Sequence, residues 1–203
     1  YVYRLGPVFV CRAIRGLFAD GCLGLAAVAA KACTMIWVLT GPECSGKTSL
    51  AQQLHTYLGW PLEPELARGY LNERYAQSGN YRYRPSDLLA LAAMQERREA
   101  QLGTDAILDT DLLTLIIWWQ EKYGPVPRAY PTQWQRQIPR RYLLCRPDIP
   151  WQHDPQRENS TDRDRLFARY QLELSKRQCH FTVCHGTEHE RLEQALAAIQ
   201  NLS

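Results

Sequence analysis

The run Gly41-Pro42-Glu43-Cys44-Ser45-Gly46-Lys47-Thr48 constrains this chain more than any other stretch. It is a complete G-x-x-x-x-G-K-[ST]. Before it stands an apolar, β-branched run, MIWVLT (35–40), and after it Leu50, Leu54 and Leu58 recur at helical spacing. A strand that ends in a glycine-bearing loop and continues as a helix turns backbone N–H groups and a helix N-terminus toward a phosphate. Lys47 is expected to reach the β- and γ-phosphates, and the Thr48 hydroxyl to bind Mg²⁺. Glu43, Cys44 and Ser49 are expected to line the same nucleotide, ATP. The loop says where phosphates sit; it does not by itself name a reaction.

The chain downstream alternates short apolar runs with helical patterns. WPLEPELAR reads as a second extended piece leading into a helix, GYLNERYAQS. RPSDLLALAAMQERREAQLG carries Pro85 and Ser86 as helix-start signals and Gly103 as a stop. DAILDTD reads as a buried strand ending in acids, and LLTLIIWWQEKYG as a mostly buried helix closed by Gly124, its IIWW run assigned to the core. PVPRAYPTQWQRQIP reads as a proline-punctuated connection. RRYLLC supplies a fourth strand, STDRDRLFARYQLELSKRQ an amphipathic helix, HFTVCHG a fifth strand and EHERLEQALAAIQNL the closing helix. Strands alternating with helices predict a three-layer α/β/α domain around a mostly parallel five-stranded sheet, spanning 35–203.

Residues 1–34 differ in texture, being rich in Ala, Gly, Val and Cys and interrupted by Arg12, Arg15 and Asp20. That run is too broken for a membrane span, which needs about 18 consecutive apolar residues. Early arginines followed by GCLGLAAVAA have some features of a signal peptide. The preferred expectation is a non-native or disordered upstream extension, with the functional domain starting at Met35. Seven cysteines with no C-x-x-C pair point to reduced thiols, and so to a cytoplasmic protein. A net charge of +3 is too weak to suggest nucleic acid by itself, and no nucleic-acid partner is expected. A small-molecule substrate remains, with no membrane partner expected and no oligomeric state specified.

Four further stretches carry chemistry. Asp109 and Asp111 close the predicted third strand, and the carboxyl ends of a parallel sheet face its ligand. One of the two acids should hold Mg²⁺ directly or through water, as the acid of a Walker-B strand does; Asp111 also stands where it would cap the next helix. Arg157, Arg163 and Arg165 lie on a polar segment after the fourth strand, where an arginine can stabilise a transferring phosphoryl group. Glu65, Arg68, Tyr70 and Glu73 follow the second strand, where an acceptor would meet the phosphates: a carboxylate to take a hydroxyl proton, a ring to stack on a base. The general base stays open among Glu65, Glu73, Asp109 and Asp111. His153 and His185 are candidates only for lining the site.

Taken together and in order, GPECSGKT, ELAR, MQERR, LDTD and IPWQHDPQR resemble the nicotinamide riboside kinase domain of the NadR-like bacterial proteins, a P-loop NTPase of the AAA_28-like ATP-binding type. The resemblance runs from Met35 to the C-terminus. It implies an ATP- and Mg²⁺-dependent phosphotransferase with an alcohol acceptor, converting nicotinamide riboside to its mononucleotide in NAD salvage. It implies that Gly41, Ser45, Gly46, Lys47 and Thr48 bind ATP and the metal, and that Asp109 and Asp111 serve metal or substrate. Trp151, Asp154, Arg157 and Arg163 would belong to a lid-like segment touching substrate, and Gly186 would lie at the adenine. One departure is that Asp154-Pro155-Gln156-Arg157 carries Pro155 where the family commonly has Gly, which stiffens that turn. The other is that the adenylyltransferase domain often fused upstream does not fit within thirty-four residues. Two other readings are a non-catalytic ATP-binding sensor, and a kinase for another nucleoside or small alcohol.

Overall fold

A computed structural model describes residues 35–103, 105–156 and 161–201. The expectations for the 1–34 segment and for Arg157 fall outside these residues. Among them the order is β1 (Ile36–Thr40), α1 (Lys47–Leu58), β2 (Leu62–Glu63), α2 (Leu66–Ser78), α3 (Pro85–Glu99), β3 (Ala106–Asp109), α4 (Leu112–Tyr123), α5 (Ala129–Gln135), β4 (Arg140–Cys145), α6 (Arg163–Lys176), β5 (Phe181–Cys184) and α7 (Glu188–Gln200).

The five strands form one sheet in the order β2-β3-β1-β4-β5, every pairing parallel. Because side chains alternate along a strand, each central strand feeds two cores. Ile36, Val38, Ala106, Leu108, Tyr142 and Leu144 face α4 and α6 and pack with Leu113, Ile117, Phe167 and Leu174. Trp37, Leu39, Ile107, Leu143 and Cys145 face the other way, onto Leu50 and Leu54 of α1 and Ala195 of α7. Both faces are covered, which is why the strands read as unbroken apolar runs. Leu54 is fully buried in the second core, and Leu54→Ala would cost about 2–5 kcal/mol. The fold is the mostly parallel three-layer α/β architecture expected from the sequence.

A third cluster joins α2, α3, α4 and α5 through Ala67, Leu88, Leu91, Leu112, Ile116 and Tyr130. It contains two departures from the sequence reading. ELAR is not extended beyond Glu65: α2 begins at Leu66, which puts Arg68 on its first turn. The proline-punctuated connection holds a short helix, α5, with Pro131 at its third position. A proline there removes an N–H that a first turn leaves unpaired anyway.

β1 lies between β3 and β4, so the loops leaving β1 and β3 open side by side at the carboxyl edge. In the β1–β3 register Leu39 lies beside Asp109. This brings the last residue of β3 level with the start of the phosphate loop.

Candidate active site

The loop between β1 and α1 takes the shape its glycines allow. Gly41 has φ of +133°, and a Cβ there would come 2.6 Å from the Cys145 carbonyl oxygen of β4. Any side chain would push the loop off the sheet. Gly46 is left-handed at φ of +78° and caps α1. Cys44 adopts φ of +52° without being glycine. The Ser45 hydroxyl donates to the Pro42 carbonyl at 2.8 Å. Lys47 Nζ donates to the carbonyls of Gly41 and Pro42 at 3.1 and 2.7 Å, so its ammonium lies over the loop.

The Thr48 hydroxyl donates to Asp109 Oδ2 at 2.6 Å. Asp109 is 3% exposed, and its other oxygen, Oδ1, is buried with no hydrogen-bond partner among the described residues. A buried carboxylate oxygen without a donor is costly unless a cation or a water meets it. Thr48 and Asp109 therefore fit Mg²⁺, which takes few protein ligands and keeps waters and phosphate oxygens in its shell. Among the described residues no group of three or more His, Cys, Asp or Glu gathers to hold a metal.

Asp111 is not a phosphate-side acid. Thr110 between the two acids is left-handed, at φ of +72°, a strained position for a β-branched residue. That twist sends the Asp111 side chain into the protein. Its Oδ1 caps α4 by accepting from the Leu113 N–H at 3.0 Å, and its Oδ2 accepts from Arg140 at 2.9 Å and from the Tyr142 hydroxyl at 2.8 Å. Arg140 also pairs with Glu99 at 2.6 Å, and all three charged side chains are nearly or wholly buried. Burial raises the Asp111 carboxyl despite the attraction of Arg140. The expectation of a metal-binding or catalytic Asp111 is corrected: both of its oxygens serve the fold.

A cleft of about 500 Å³ opens over the loop. Its lining includes Gly41 through Ser49, with Glu65 and Arg68 at the start of α2. The Glu65 side chain is 22% exposed. Burial lifts its carboxyl above the ordinary glutamate range against the pull of Lys47, and the charge of Asp109 adds to the rise. Arg68 donates to Asp154 at 2.9 Å, linking α2 to the segment after β4. Gln156 Nε2 reaches Asn72 of α2 at 2.6 Å.

The same segment is fastened to the loop. Arg163 donates to the carbonyls of Cys44 and Ile149 at 3.2 and 2.9 Å, and its guanidinium lies 5.7 Å from the Trp151 ring centroid. The Cys44 thiol donates to the Pro150 carbonyl and accepts from the Gln152 N–H, both at 3.3 Å. Arg163 thus braces the loop, with Trp151 beside its guanidinium, and neither is among the cleft-lining residues. Gly186, at φ of +84° after β5, donates its N–H to Asp148 at 2.8 Å.

Tyr70 does not reach the cleft: α2 turns it toward α3, where its hydroxyl donates to Asp87 at 2.9 Å. Glu73 is exposed on α2, and His153 and His185 are exposed in loops, none of them lining the cleft. The aromatic wall comes from residues that the sequence reading did not place at the site. Tyr81 and Tyr83 from the α2–α3 connection, Trp118 from α4 and Tyr170 from α6 line the cleft. Tyr83 and Trp118 stack with centroids 5.6 Å apart at 22°, and Lys122 lies 3.8 Å from the Tyr83 centroid. The IIWW run belongs to the core as expected, with Ile116 and Ile117 buried and the half-buried Trp118 and Trp119 packed against the third cluster, while Ile117 and Trp118 also border the cleft.

Comparison with known proteins agrees with this architecture. By sequence, no curated protein matches the chain. A NadR protein solved in complex with NR superposes with a TM-score of 0.64 at 15% identity, covering 84% of this chain and 52% of that one. The chain thus spans about half the length of that NadR protein. A thymidylate kinase from Ehrlichia chaffeensis gives a TM-score of 0.60 at 14% identity over 82% of this chain and 98% of its own. A deoxyadenosine kinase from M. mycoides gives 0.60 at 13% identity over 83% of this chain and 100% of its own. At these identities the likeness is one of fold, the P-loop kinase-like α/β fold. The model of the AAA_28 family, an AAA domain, matches residues 36–191, from the first strand through the phosphate loop to the first turn of α7, and the chain belongs to that family.

Proposed function

We propose that this protein is a small-molecule kinase that transfers the γ-phosphoryl group of ATP to a hydroxyl of a nucleoside, with nicotinamide riboside as the leading acceptor and its mononucleotide as product. One observation carries the reading: a single cleft joins the phosphate loop to an aromatic wall, with Glu65 in the lining beside the loop. A phosphate cradle alone would serve any nucleotide-binding protein. A cradle that shares its cleft with stacked Tyr83 and Trp118 has room and chemistry for a flat base beside the γ-phosphate.

The roles follow from position and charge. Lys47 and the loop N–H groups hold the phosphates. Thr48 and Asp109 hold Mg²⁺, which when bound neutralises charge on the β- and γ-phosphates. Glu65, with a carboxyl raised by burial, takes the proton of the attacking hydroxyl. Arg163 braces the loop, and Asp154 and Arg157 serve the acceptor side. Gly186 lies on the adenine side. Two arginines of the acceptor side are already answered by acids, Arg68 by Asp154 and Arg165 by Glu121 and Asp162. That favours an acceptor carrying no phosphate of its own, a nucleoside and not a nucleotide. The resemblance of GPECSGKT, LDTD and IPWQHDPQR to the nicotinamide riboside kinase domain narrows the acceptor further. Such a role belongs to NAD biosynthesis in the cytoplasm.

A panel of nucleosides and nucleoside monophosphates, each incubated with the full chain, ATP and Mg²⁺, tests the proposal by product mass. Phosphorylation of nicotinamide riboside ahead of the others is expected. Turnover of a different nucleoside would replace the acceptor. ATP binding without phosphorylation of any acceptor would favour the sensor reading.

A further inference from the structure

Arg191 lies in the first turn of α7, with a side chain 3% exposed. Nothing local accounts for it there. A cation near a helix N-terminus opposes the helix dipole, and burying a guanidinium is unfavourable unless its donors are met. Its surroundings explain it instead. Nε donates to the Gly186 carbonyl at 2.9 Å, and one terminal nitrogen donates to the carbonyls of Ser45 at 2.8 Å and Cys184 at 3.5 Å. The other donates to the Arg146 carbonyl at 3.0 Å and pairs with the Asp148 carboxylate, which in turn accepts from the Gly186 N–H at 2.8 Å. One planar fork thus joins the ends of β4 and β5, the turn into α7, and the phosphate loop.

The contact with Ser45 has a geometric consequence. In a trans peptide the carbonyl and the following N–H point in opposite directions within one plane. Holding the Ser45 carbonyl against α7 aims the Gly46 N–H the other way, into the concave side of the loop where a phosphate oxygen would sit. We propose that Arg191 is a positioning residue for nucleotide binding: it orients the Ser45–Gly46 peptide toward the phosphates and locks the phosphate loop to the turn at Gly186. This rests on the reading that the loop binds a nucleoside triphosphate. Arg191 itself touches no phosphate, because its donors are spent on protein carbonyls and Asp148.

The test compares the full chain with Arg191→Met and Arg191→Gln, measuring melting temperature and the affinities for ATP and for inorganic tripolyphosphate by calorimetry. Glutamine has one amide and cannot hold Ser45, Gly186 and Arg146 together. Loss of one charge-assisted contact that aims a donor corresponds to about tenfold in affinity. A folded Arg191→Gln protein is expected to bind both ligands about tenfold more weakly, with faster amide exchange at Gly46. A folded variant that melts earlier but binds both ligands within about twofold of the parent would overturn the proposal. So would variants that only unfold, since Arg191 would then support the fold alone. A parent chain that binds neither ATP nor tripolyphosphate would overturn the nucleotide-binding reading itself, and is recognisable because no substitution is involved.

Discussion

The Thr48 hydroxyl and the Asp109 carboxylate meet at 2.6 Å across the gap between α1 and β3. This contact joins the two halves of the proposed phosphate-transfer site, one from the loop motif and one from the acid at the end of the neighbouring strand. Asp109→Asn keeps the size and removes the charge. We expect turnover to fall by at least about a hundredfold, as for loss of a group that neutralises transition-state charge. The Mg²⁺ concentration for half-maximal activity should rise in any residual turnover, and chelating the metal should abolish turnover in the parent. Steady-state kinetics across a Mg²⁺ titration checks this.

Asp111 predicts the opposite pattern, although it stands two residues away. Asp111→Ala removes the α4 cap and leaves Arg140 and Tyr142 short of a buried partner. Breaking one side of a buried ion pair costs about 3–5 kcal/mol. Denaturant unfolding should show that loss, while kcat per folded molecule stays near the parent value.

The aromatic wall, if it takes the acceptor as proposed, predicts a separation of binding effects. Trp118→Ala removes the partner that stacks on Tyr83. Base–aromatic stacking is worth about 1–3 kcal/mol, so KM for the nucleoside should rise roughly tenfold or more while ATP affinity stays unchanged. Initial-rate kinetics with each substrate varied in turn measures this.

Two carboxyls predict pH effects of opposite sign. Burial pushes the Asp87 carboxyl up, but the Arg84 N–H, the Tyr70 hydroxyl and Arg74 outweigh it and hold it below its ordinary 3.8. A lowered carboxyl contributes stability that is present above pH 3.8 and is lost as pH falls through its value in the folded protein. Asp87→Asn should therefore flatten the acid limb of the stability curve. Glu65 is raised above 4.5 by burial. It lowers stability as pH climbs from 4.5 toward its folded value, because the native state holds that proton longer. If Glu65 is the base, the acid limb of kcat/KM should be displaced above that of an ordinary glutamate, and Glu65→Gln should remove both the limb and most of the rate.

Much of this site was legible because it lies in contiguous sequence. The phosphate loop, its strand and helix, and Asp109 at a strand end follow from local pattern alone. The fate of Asp111 was not legible, since it depends on the left-handed Thr110 and on Arg140, a residue of a strand two places away in the sheet. Tyr83 and Trp118 come from distant elements and meet only when α3 and α4 pack. Arg191 stood only as one residue of the closing helix; its five acceptor groups come from three separated stretches, at Ser45, at Arg146 and Asp148, and at Cys184 and Gly186. Long-range polar partners leave no periodic trace in a sequence, whereas core faces do.

The central claim is phosphoryl transfer to a nucleoside, and following label from the γ-phosphate of ATP into nicotinamide riboside tests it most directly. The full chain with Mg²⁺ is predicted to place the label on the nucleoside, and Lys47→Ala to abolish transfer while the protein remains folded. Labelled ATP that binds but passes its phosphoryl group to no nucleoside, in the parent as in Lys47→Ala, would contradict the account.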